Sequence, residues 1–224
     1  MQLAALVSGG KDSVLALYHA QQIGNEIKVL ATMVPKRSDS YMFHYPNIHM
    51  TDYLAKALEI PLVKSETSGV KEKELQDLKK LLESLDVDGI TTGAIASTYQ
   101  KERIDKLCDE IGIKSIAPLW QKNPLDIMNE LLELKFKVIL VGISAHGLDQ
   151  NWLGQEITKE TLQKLVKLNK QFQISLVGEG GEYESLVLDA PIFKKRIEIV
   201  ESEIEYENNS GVFVIKQAKL VDKF

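Results

Sequence analysis

The sequence predicts a protein of the α/β class, built around a parallel β-sheet with helices on both faces. Short apolar runs alternate with amphipathic stretches through the first half of the chain, and this β-α-β-α order is typical of a parallel sheet. A glycine-rich turn also follows the first apolar run directly, where such sheets bind their ligands. With 224 residues, the chain is long enough for one large domain or two small ones.

Strands and helices alternate regularly in the first half of the chain. The predicted strands are short apolar runs: residues 2–7, 27–34, 62–66 and 89–93. The predicted helices carry apolar residues at helical spacing: residues 11–23, 48–59 and 70–85. Together these elements indicate a Rossmann-like parallel sheet whose ligands lie beyond the carboxyl ends of the strands.

The regular alternation is interrupted between residues 115 and 124. Pro118 and Pro124 fall in this stretch, and proline is a strong breaker of regular structure. We therefore predict a domain junction here, which divides the chain into residues 1–122 and residues 123–224.

The second part is predicted to be a smaller α+β domain that ends in a β-hairpin. Its predicted helices and first strand are residues 125–134, 159–172 and 137–143. Residues 196–207 and 212–220 alternate apolar and charged side chains around an Asn-Asn-Ser-Gly cluster. Two such runs separated by turn residues are the signal of a hairpin.

Composition narrows the class of protein. The net charge is −5, which argues against a nucleic-acid surface over the whole molecule, so we expect no direct nucleic-acid partner. No apolar stretch approaches the roughly 20 residues that span a bilayer, and we expect neither a membrane segment nor an export signal. Cys108 is the single cysteine, so we expect a cytoplasmic protein in which this thiol is a small buried hydrophobe.

The strongest functional signal lies between the first strand and the first helix. Adjacent glycines let the backbone turn sharply and bring N–H groups towards an anion, and the following helix points its positive end there. The alternative is an ordinary turn in which Asp12 and Ser13 cap the helix. The six residues of this turn are Ser8, Gly9, Gly10, Lys11, Asp12 and Ser13.

This turn resembles the PP-loop, Ser-Gly-Gly-x-Asp-Ser, with Lys11 at the variable position. It is not a Walker A motif, since the Gly-Lys-Ser/Thr of that motif does not follow. The resemblance implies a fold like that of the adenine nucleotide alpha hydrolases and a loop that holds the pyrophosphate end of ATP. Members of the PP-loop superfamily break the bond between the α- and β-phosphates and leave AMP on the group that they activate.

A second constellation, residues 178–185, is called here the acidic loop. It reads Gly-Glu-Gly-Gly-Glu-Tyr-Glu-Ser, and a short strand is predicted to follow. Glycines permit left-handed backbone and close approach to a ligand, while clustered carboxylates repel one another unless a cation or a set of donors stabilises them. The alternative is a flexible, solvated acidic loop.

Together, the two motifs resemble those of the diphthine-ammonia ligase (diphthamide synthetase) family, over nearly the whole chain. Three further segments match: Ser40-Tyr41-Met42-Phe43-His44; Gly93-Ala94-Ile95 with Ser97, Tyr99, Gln100 and Arg103; and Pro118-Leu119-Trp120. The resemblance implies ATP-dependent amidation of diphthine on elongation factor 2 by ammonium, through an acyl-adenylate, giving diphthamide, AMP and pyrophosphate. It also implies ATP as a substrate, with Mg²⁺ whose ligands the sequence leaves unknown.

The resemblance also implies the residues of the site. The implied catalytic residues are Ser8, Asp12 and Ser13. The implied ATP and pyrophosphate contacts are Ser8, Gly9, Gly10, Lys11, Asp12, Ser13, Thr32, His44, Gly93 and Ala94. The implied substrate contacts are Tyr99, Gln100, Arg103, Glu179, Gly180, Gly181, Glu182, Tyr183 and Glu184.

Charge supports the substrate assignment, because diphthine carries a fixed trimethylammonium group that carboxylates and an aromatic ring can attract. Alternatives stay open for individual residues. Each glutamate of the acidic loop can instead orient the loop, His44 can simply be solvated, and Arg103 can form a surface ion pair. Asp12 can bind a metal or cap the helix.

Free ammonium is the expected nitrogen donor, because Gln2 occupies the second position, where a glutaminase would carry its nucleophilic cysteine. Two other functions stay open. One is another PP-loop adenylating ligase that acts on a small carboxylate or a tRNA base, and the other is a sensor that binds ATP or AMP without catalysis. The oligomeric state is also open, a homo-oligomer being one option.

Overall fold

The computed structural model of the protein describes residues 1–35, 47–68 and 71–223. The loop prediction around His44 lies outside the described residues. Within them, no helix is long and apolar enough to cross a bilayer.

The first sheet has five parallel strands. They are β1 (Gln2–Leu6), β2 (Glu26–Pro35), β3 (Leu62–Thr67), β4 (Gly89–Thr91) and β5 (Lys114–Ile116). Their order in the sheet is β3-β2-β1-β4-β5. The predicted parallel sheet is confirmed, but β5 was not predicted, because it overlaps the stretch 115–124 that its prolines led us to interpret as a domain junction.

Helices cover both faces of this sheet, as predicted. They are α1 (Lys11–Gln22), α2 (Thr51–Leu58), α3 (Lys71–Glu83) and α4 (Thr98–Ile111). Along β1, Leu3 packs in one hydrophobic cluster with α1 and α2, whereas Ala4 packs in a second cluster with α3 and α4. Successive side chains of a strand point to opposite faces, so the two clusters lie on the two sides of the sheet. Residues 48–50 form a short 3₁₀ turn before α2, where the sequence predicted one continuous helix.

The second half of the chain forms a smaller antiparallel sheet. The strands of this sheet are β6 (Lys137–Ile143), β7 (Tyr183–Asp189), β8 (Lys195–Glu207) and β9 (Ser210–Asp222). The same part of the chain also forms two helices, α5 (Pro124–Glu133) and α6 (Lys159–Phe172). The strand order is β7-β6-β9-β8. The predicted terminal hairpin is confirmed, since β8 pairs with β9 in antiparallel register up to Glu207 and Ser210. Asn208 and Asn209 between them both have positive φ, as two-residue hairpin turns require.

The two sheets share one core. A single hydrophobic cluster contains Leu3 of β1, Val14 of α1 and Leu186 of β7. This packing brings β7, together with the acidic loop whose last three residues begin that strand, against the start of α1. The division of the chain after residue 122 stays a prediction.

Cys108 lies on α4 in the cluster beneath the sheet and is fully buried. Burial raises the pKa of its thiol to about 12, with the charges of Asp105 and Asp109 adding to the effect. A thiol held in its protonated form is a poor nucleophile, so the expectation of an inert, buried cysteine is confirmed.

Candidate active site

One cavity of about 560 Å³ lies beyond the carboxyl ends of β1, β2 and β4. The PP-loop forms one wall and the acidic loop forms the facing wall. The PP-loop contributes Ser8, Gly10, Lys11, Asp12 and Ser13, and the acidic loop contributes Gly178, Glu179, Gly180, Gly181, Tyr183, Glu184 and Ser185. Two motifs that stand more than 160 residues apart in the chain therefore form a single site.

The PP-loop is shaped by its glycines and its two serines. Gly9 has a φ of 88°, a left-handed conformation that favours glycine. The Ser13 hydroxyl donates to the Gly10 carbonyl at 3.0 Å, and the Ser8 hydroxyl oxygen accepts the Gly10 amide at 3.3 Å. These contacts hold the loop in a closed turn at the start of α1.

The N-terminus of α1 carries no side-chain cap, because its N-cap residue is Gly10. The alternative in which Asp12 and Ser13 cap this helix is therefore wrong: both residues lie inside its first turn. The amides of Asp12 and Ser13 lie where a helix has no carbonyl to accept them. An anion such as a phosphate can accept these N–H groups.

Gly93 lets the loop after β4 approach the PP-loop closely. A Cβ atom at Gly93 would lie 2.6 Å from the backbone carbonyl carbon of Asp12 and 2.7 Å from the backbone nitrogen of Ser13. Both Gly93 and Ala94 line the cavity. The absence of a side chain at Gly93 thus determines how near the third wall of the cavity comes to the start of α1.

Lys11 links the two motifs. Its side chain is 2% exposed, and its ammonium group contacts the Asp12 carboxylate at 2.9 and 3.0 Å and donates to the Val177 carbonyl. The same ammonium lies 5.3 Å from the centre of the Tyr183 ring, within cation–π range. The predicted contact of Lys11 with pyrophosphate finds no support in this geometry, because the ammonium is already surrounded by protein groups.

Strand β7 forms hydrogen bonds directly with the PP-loop. The Lys11 amide donates to the Ser185 hydroxyl oxygen at 3.2 Å, and the Val187 amide donates to the Gly9 carbonyl at 2.9 Å. Sequence reasoning assigned no role to Ser185 or Val177. These contacts join residues that no local pattern relates, so the fold alone reveals them.

Two glutamates of the acidic loop are used to hold the loop itself. The Glu182 carboxylate accepts the Ser175 amide at 2.8 Å and the Gly180 amide at 2.9 Å. Glu179 accepts the amides of Ala96 and Ser97 at 2.6 and 2.8 Å. Ser97 is the N-cap of α4, so the Glu179 carboxylate sits at the positive end of that helix, where an anion is stabilised.

Tyr183 lines the cavity but is almost wholly buried in the core. It is 2% exposed, and its hydroxyl donates to the Leu176 carbonyl at 2.6 Å. Burial raises the pKa of this phenol well above its usual value, with smaller contributions from Asp12, Glu182 and Glu184. The expectation that this ring contacts a trimethylammonium group is not supported, since Lys11 already lies against the ring.

Glu184 differs from the other carboxylates of the site. It lines the cavity, and within the described part of the chain its carboxylate accepts no hydrogen bond. Burial raises its pKa to about 7; the Lys11 charge opposes this shift and the Asp12 charge adds to it. Burial also raises the pKa of Asp12, against the effect of Lys11.

The remaining predicted residues divide between the cavity and the surrounding structure. Tyr99 and Gln100 line the cavity. Arg103 does not; its guanidinium stacks 3.7 Å from the centre of the Tyr99 ring. The Thr32 hydroxyl is buried and donates to the Val7 carbonyl at 2.8 Å, so it supports the sheet instead of contacting a nucleotide.

The neighbours of Thr32 face the cavity in its place. Ala31 and Met33 line it, because alternate residues of a strand point to opposite faces. Sequence reasoning missed this pair, since β2 is apolar along most of its length and shows no alternation from which a face can be chosen.

The donor set does not fit a protein-held Mg²⁺ site. Among the described residues, no group of three or more His, Cys, Asp or Glu side chains is placed to hold a metal ion. The Asp12 carboxylate, the acidic group of the PP-loop, is already paired with the Lys11 ammonium. We therefore assign no protein ligand to Mg²⁺ and derive no step through it.

The fold and the cavity together define the class: an α/β protein with a PP-loop at the carboxyl end of its first strand, and a second sheet packed over that loop. Two family models match the chain, the diphthamide synthase N-terminal domain over residues 1–115 and the diphthamide synthase C-terminal domain over residues 123–221. The chain belongs to the diphthamide synthase family.

Curated relatives agree with this assignment, and each is named diphthine–ammonia ligase. The relative from Schizosaccharomyces pombe is 35% identical over 94% of this chain, and the alignment covers 38% of that longer protein. The relative from Mus musculus is 34% identical over 91% of this chain and 84% of its own length. The relative from Homo sapiens is 32% identical over 91% of this chain and 85% of its own length.

Proposed function

We propose that this protein is an ATP-dependent ligase that amidates diphthine on elongation factor 2 with ammonium, giving diphthamide, AMP and pyrophosphate. One observation carries the proposal: the PP-loop and the acidic loop, which are far apart in sequence, line one cavity. The names of the curated relatives supply the substrate and the nitrogen donor.

ATP would bind with its phosphates at the PP-loop. The uncapped start of α1 offers the amides of Asp12 and Ser13, and the Ser8 and Ser13 hydroxyls lie in the same wall. Ala31, Met33 and Ile104 form an apolar part of the cavity, which suits the faces of an adenine ring. We therefore expect the α-phosphate to lie between the PP-loop and the acidic loop.

The chemistry needs activation because a carboxylate does not condense with ammonia unaided. An oxygen of the diphthine carboxylate attacks the α-phosphorus, the bond to pyrophosphate breaks, and an acyl-adenylate forms. The amides of Asp12 and Ser13 and the Ser8 hydroxyl would stabilise the negative charge that develops on the phosphoryl oxygens, and the Ser13 hydroxyl would join them on turning away from the Gly10 carbonyl. Ammonia then displaces AMP from the acyl carbon.

The facing wall suits a cationic substrate. Glu179 and Glu184 line it, whereas Glu182 lies between them in the chain but does not line the cavity. The negative charge of these three residues attracts the fixed positive charge of diphthine over several ångströms. Two of these carboxylates keep their own N–H partners, so they would act through charge and shape rather than through direct pairing. Tyr99 and Gln100 line the same cavity and would contact the substrate.

The protein would work in the cytoplasm. Its single cysteine is buried with a raised pKa, which is consistent with a reducing compartment and with a reaction that uses no thiol.

The test is AMP and pyrophosphate release from ATP in the presence of ammonium, with diphthine-bearing elongation factor 2 compared with the unmodified factor. The expected result is release only with the diphthine-bearing factor, together with a change in its mass that matches replacement of a carboxyl hydroxyl by an amino group. ATP binding without release would contradict the proposal.

A further inference from the structure

We infer that Glu184 is the catalytic base that removes a proton from ammonium and so produces the ammonia that attacks the acyl-adenylate. The inference rests on the proposed function and adds a residue that acts in its second step. It begins from a chemical need: ammonium has no lone pair and is almost fully protonated at neutral pH, so the ligase requires an acceptor for its proton.

The carboxylates of the site differ in what already binds them. Asp12 is paired with the Lys11 ammonium through both oxygens. Glu179 and Glu182 each accept two backbone amides. The oxygens of these three carboxylates are already occupied by protein donors, so they have less capacity left to accept the N–H groups of an ammonium ion.

Glu184 has none of these restraints. It is part of the cavity wall, and among the residues that the structure describes nothing donates a hydrogen bond to its carboxylate. Its oxygens can therefore accept N–H groups of an incoming ammonium ion.

The position of Glu184 also suits the step. It is the second residue of β7, and it pairs with Gly142 of β6, which presents no side chain. One residue further along the same strand, the Ser185 hydroxyl accepts the Lys11 amide of the PP-loop at 3.2 Å. A base on this strand is therefore one residue from a direct hydrogen bond to the PP-loop, where we expect the adenylate to form.

The groups around Glu184 act on its pKa in opposite directions. Lys11 and Asp12 of α1 face it with opposite charges, and Glu182 and Tyr183 precede it in the chain. Burial prevails over Lys11 and brings the pKa to about 7. A base that titrates near the working pH is both available in its charged form and able to take a proton.

The proposed step balances as follows. One proton passes from ammonium to a Glu184 oxygen, and the nitrogen lone pair forms the new C–N bond at the acyl carbon. The bond from that carbon to the AMP oxygen breaks, and AMP leaves with the electron pair. The nitrogen then loses a second proton to water, and Glu184 returns its proton to solvent.

The experiment compares two nitrogen nucleophiles in the Glu184→Gln variant. Ammonium needs a base, whereas hydroxylamine is largely unprotonated at neutral pH and does not. We expect turnover with ammonium to fall about 100-fold or more, in the range measured for the loss of a general base. With diphthine-bearing factor at saturating concentration, turnover with hydroxylamine and ATP–pyrophosphate exchange should fall far less than turnover with ammonium, because neither step needs a base and the variant removes only one of the carboxylates that attract the substrate.

A matched control is Glu207→Gln, the same change at an exposed glutamate at the end of β8, which should keep all three activities. Glu184→Asp, which retains a carboxylate, should recover part of the ammonium turnover. Unchanged ammonium turnover in Glu184→Gln would overturn the inference. So would an equal loss with both nucleophiles, because that result assigns Glu184 to binding, adenylation or folding. Failure of the proposed function would look different: the wild-type protein itself would show no pyrophosphate exchange with diphthine-bearing factor.

Discussion

The PP-loop and the acidic loop face each other across one cavity, yet they use their residues in opposite ways. In the PP-loop, the groups available to a ligand are backbone amides and the Ser8 hydroxyl, while its charged side chains, Lys11 and Asp12, pair with each other. In the acidic loop, Glu179 and Glu182 bind backbone amides of the protein. Glu184 alone of the three glutamates there keeps a carboxylate without such a partner in the described structure.

The difference shows that the number of charged residues in a motif does not tell how many of them are available to a ligand. Of the five charged residues in the two loops, four are partnered within the protein. Buried charges are stable only when they are paired or hydrogen-bonded, so a cluster of charges at the junction of two sheets must largely satisfy itself. The following predictions test this division between structural and available groups.

The largest expected effect is that of Lys11→Met. The variant removes the partner of the Asp12 carboxylate and the ammonium that binds Val177 and Tyr183. Loss of one member of a buried pair costs about 3 kcal/mol, and we expect this loss in the free energy of unfolding, measured by urea denaturation.

The matched control for Lys11→Met is Lys28→Met, which breaks an ion pair with the fully exposed Asp86 carboxylate. It should cost far less than Lys11→Met, because water screens an exposed ion pair. Equal losses in the two variants would mean that Lys11 does not link the two motifs.

Next in size is the contrast between Glu182→Ala and Glu184→Ala. The first variant leaves two amides without their acceptor, and we expect it to cost about 2 kcal/mol of stability. The second removes a carboxylate that holds no amide and should cost little. Urea denaturation gives both values, and a larger loss in Glu184→Ala would reverse the roles assigned to the two glutamates.

A smaller effect is expected for Gly93→Ala, which tests whether ATP binding depends on the close approach of the Gly93 backbone to the PP-loop. The new methyl group would overlap the backbone of Asp12 and Ser13 and displace the start of α1. ATP affinity, measured by titration calorimetry, should fall about tenfold, or about 1.4 kcal/mol.

Gly112→Ala is the control for this effect. Its Cβ would lie in open space, but its φ of 77° favours glycine, so stability should fall by about 1 kcal/mol while ATP affinity stays at the wild-type value. A loss of ATP affinity in Gly112→Ala that equals the loss in Gly93→Ala would attribute both to general destabilisation.

The smallest effect is a pH dependence that belongs to Glu184. Its pKa is raised from 4.5 to about 7, so the folded protein keeps this proton to a higher pH than the unfolded chain does. Stability from this group is present below pH 4.5 and is lost as the pH rises through 7. We therefore expect Glu184→Gln to be more stable than wild type at pH 7.5 by about 1 kcal/mol, which allows for screening by water in the cavity.

At pH 4 the two proteins should unfold at the same urea concentration, because a protonated glutamate resembles glutamine. Glu207→Gln, at an exposed position, should match the wild type at both pH values. A wild-type advantage at pH 7.5 would show that the Glu184 carboxylate is stabilised in the folded state.

Much of the fold follows from local pattern. The parallel sheet, the helices on its two faces and the terminal hairpin were all predicted, because each depends on a hydrophobic period or a turn signal several residues long. Strand β5 was missed because Lys114–Ile116 overlaps the proline-containing stretch that we interpreted as a domain junction. The 3₁₀ turn before α2 was missed because its apolar residues continue the helical spacing.

The site was predictable in part. The PP-loop was predictable from its sequence motif, since two glycines between a strand and a helix define an anion site by local geometry alone. Thr32 was assigned to the nucleotide, but the pleat of β2 turns Ala31 and Met33 to the cavity instead. Arg103 was assigned to the substrate, but it stacks on Tyr99.

The sequence by itself determined the class of fold, the location of the PP-loop at the end of β1 and the family resemblance, because these depend on residues that are neighbours in the chain. Only the tertiary structure decided which charges remain available. The partners of Lys11, Glu179 and Glu182 lie in other elements or across a folded turn. A carboxylate reveals whether it is a structural ligand or a free base only when the groups that can bind it have been brought together by packing.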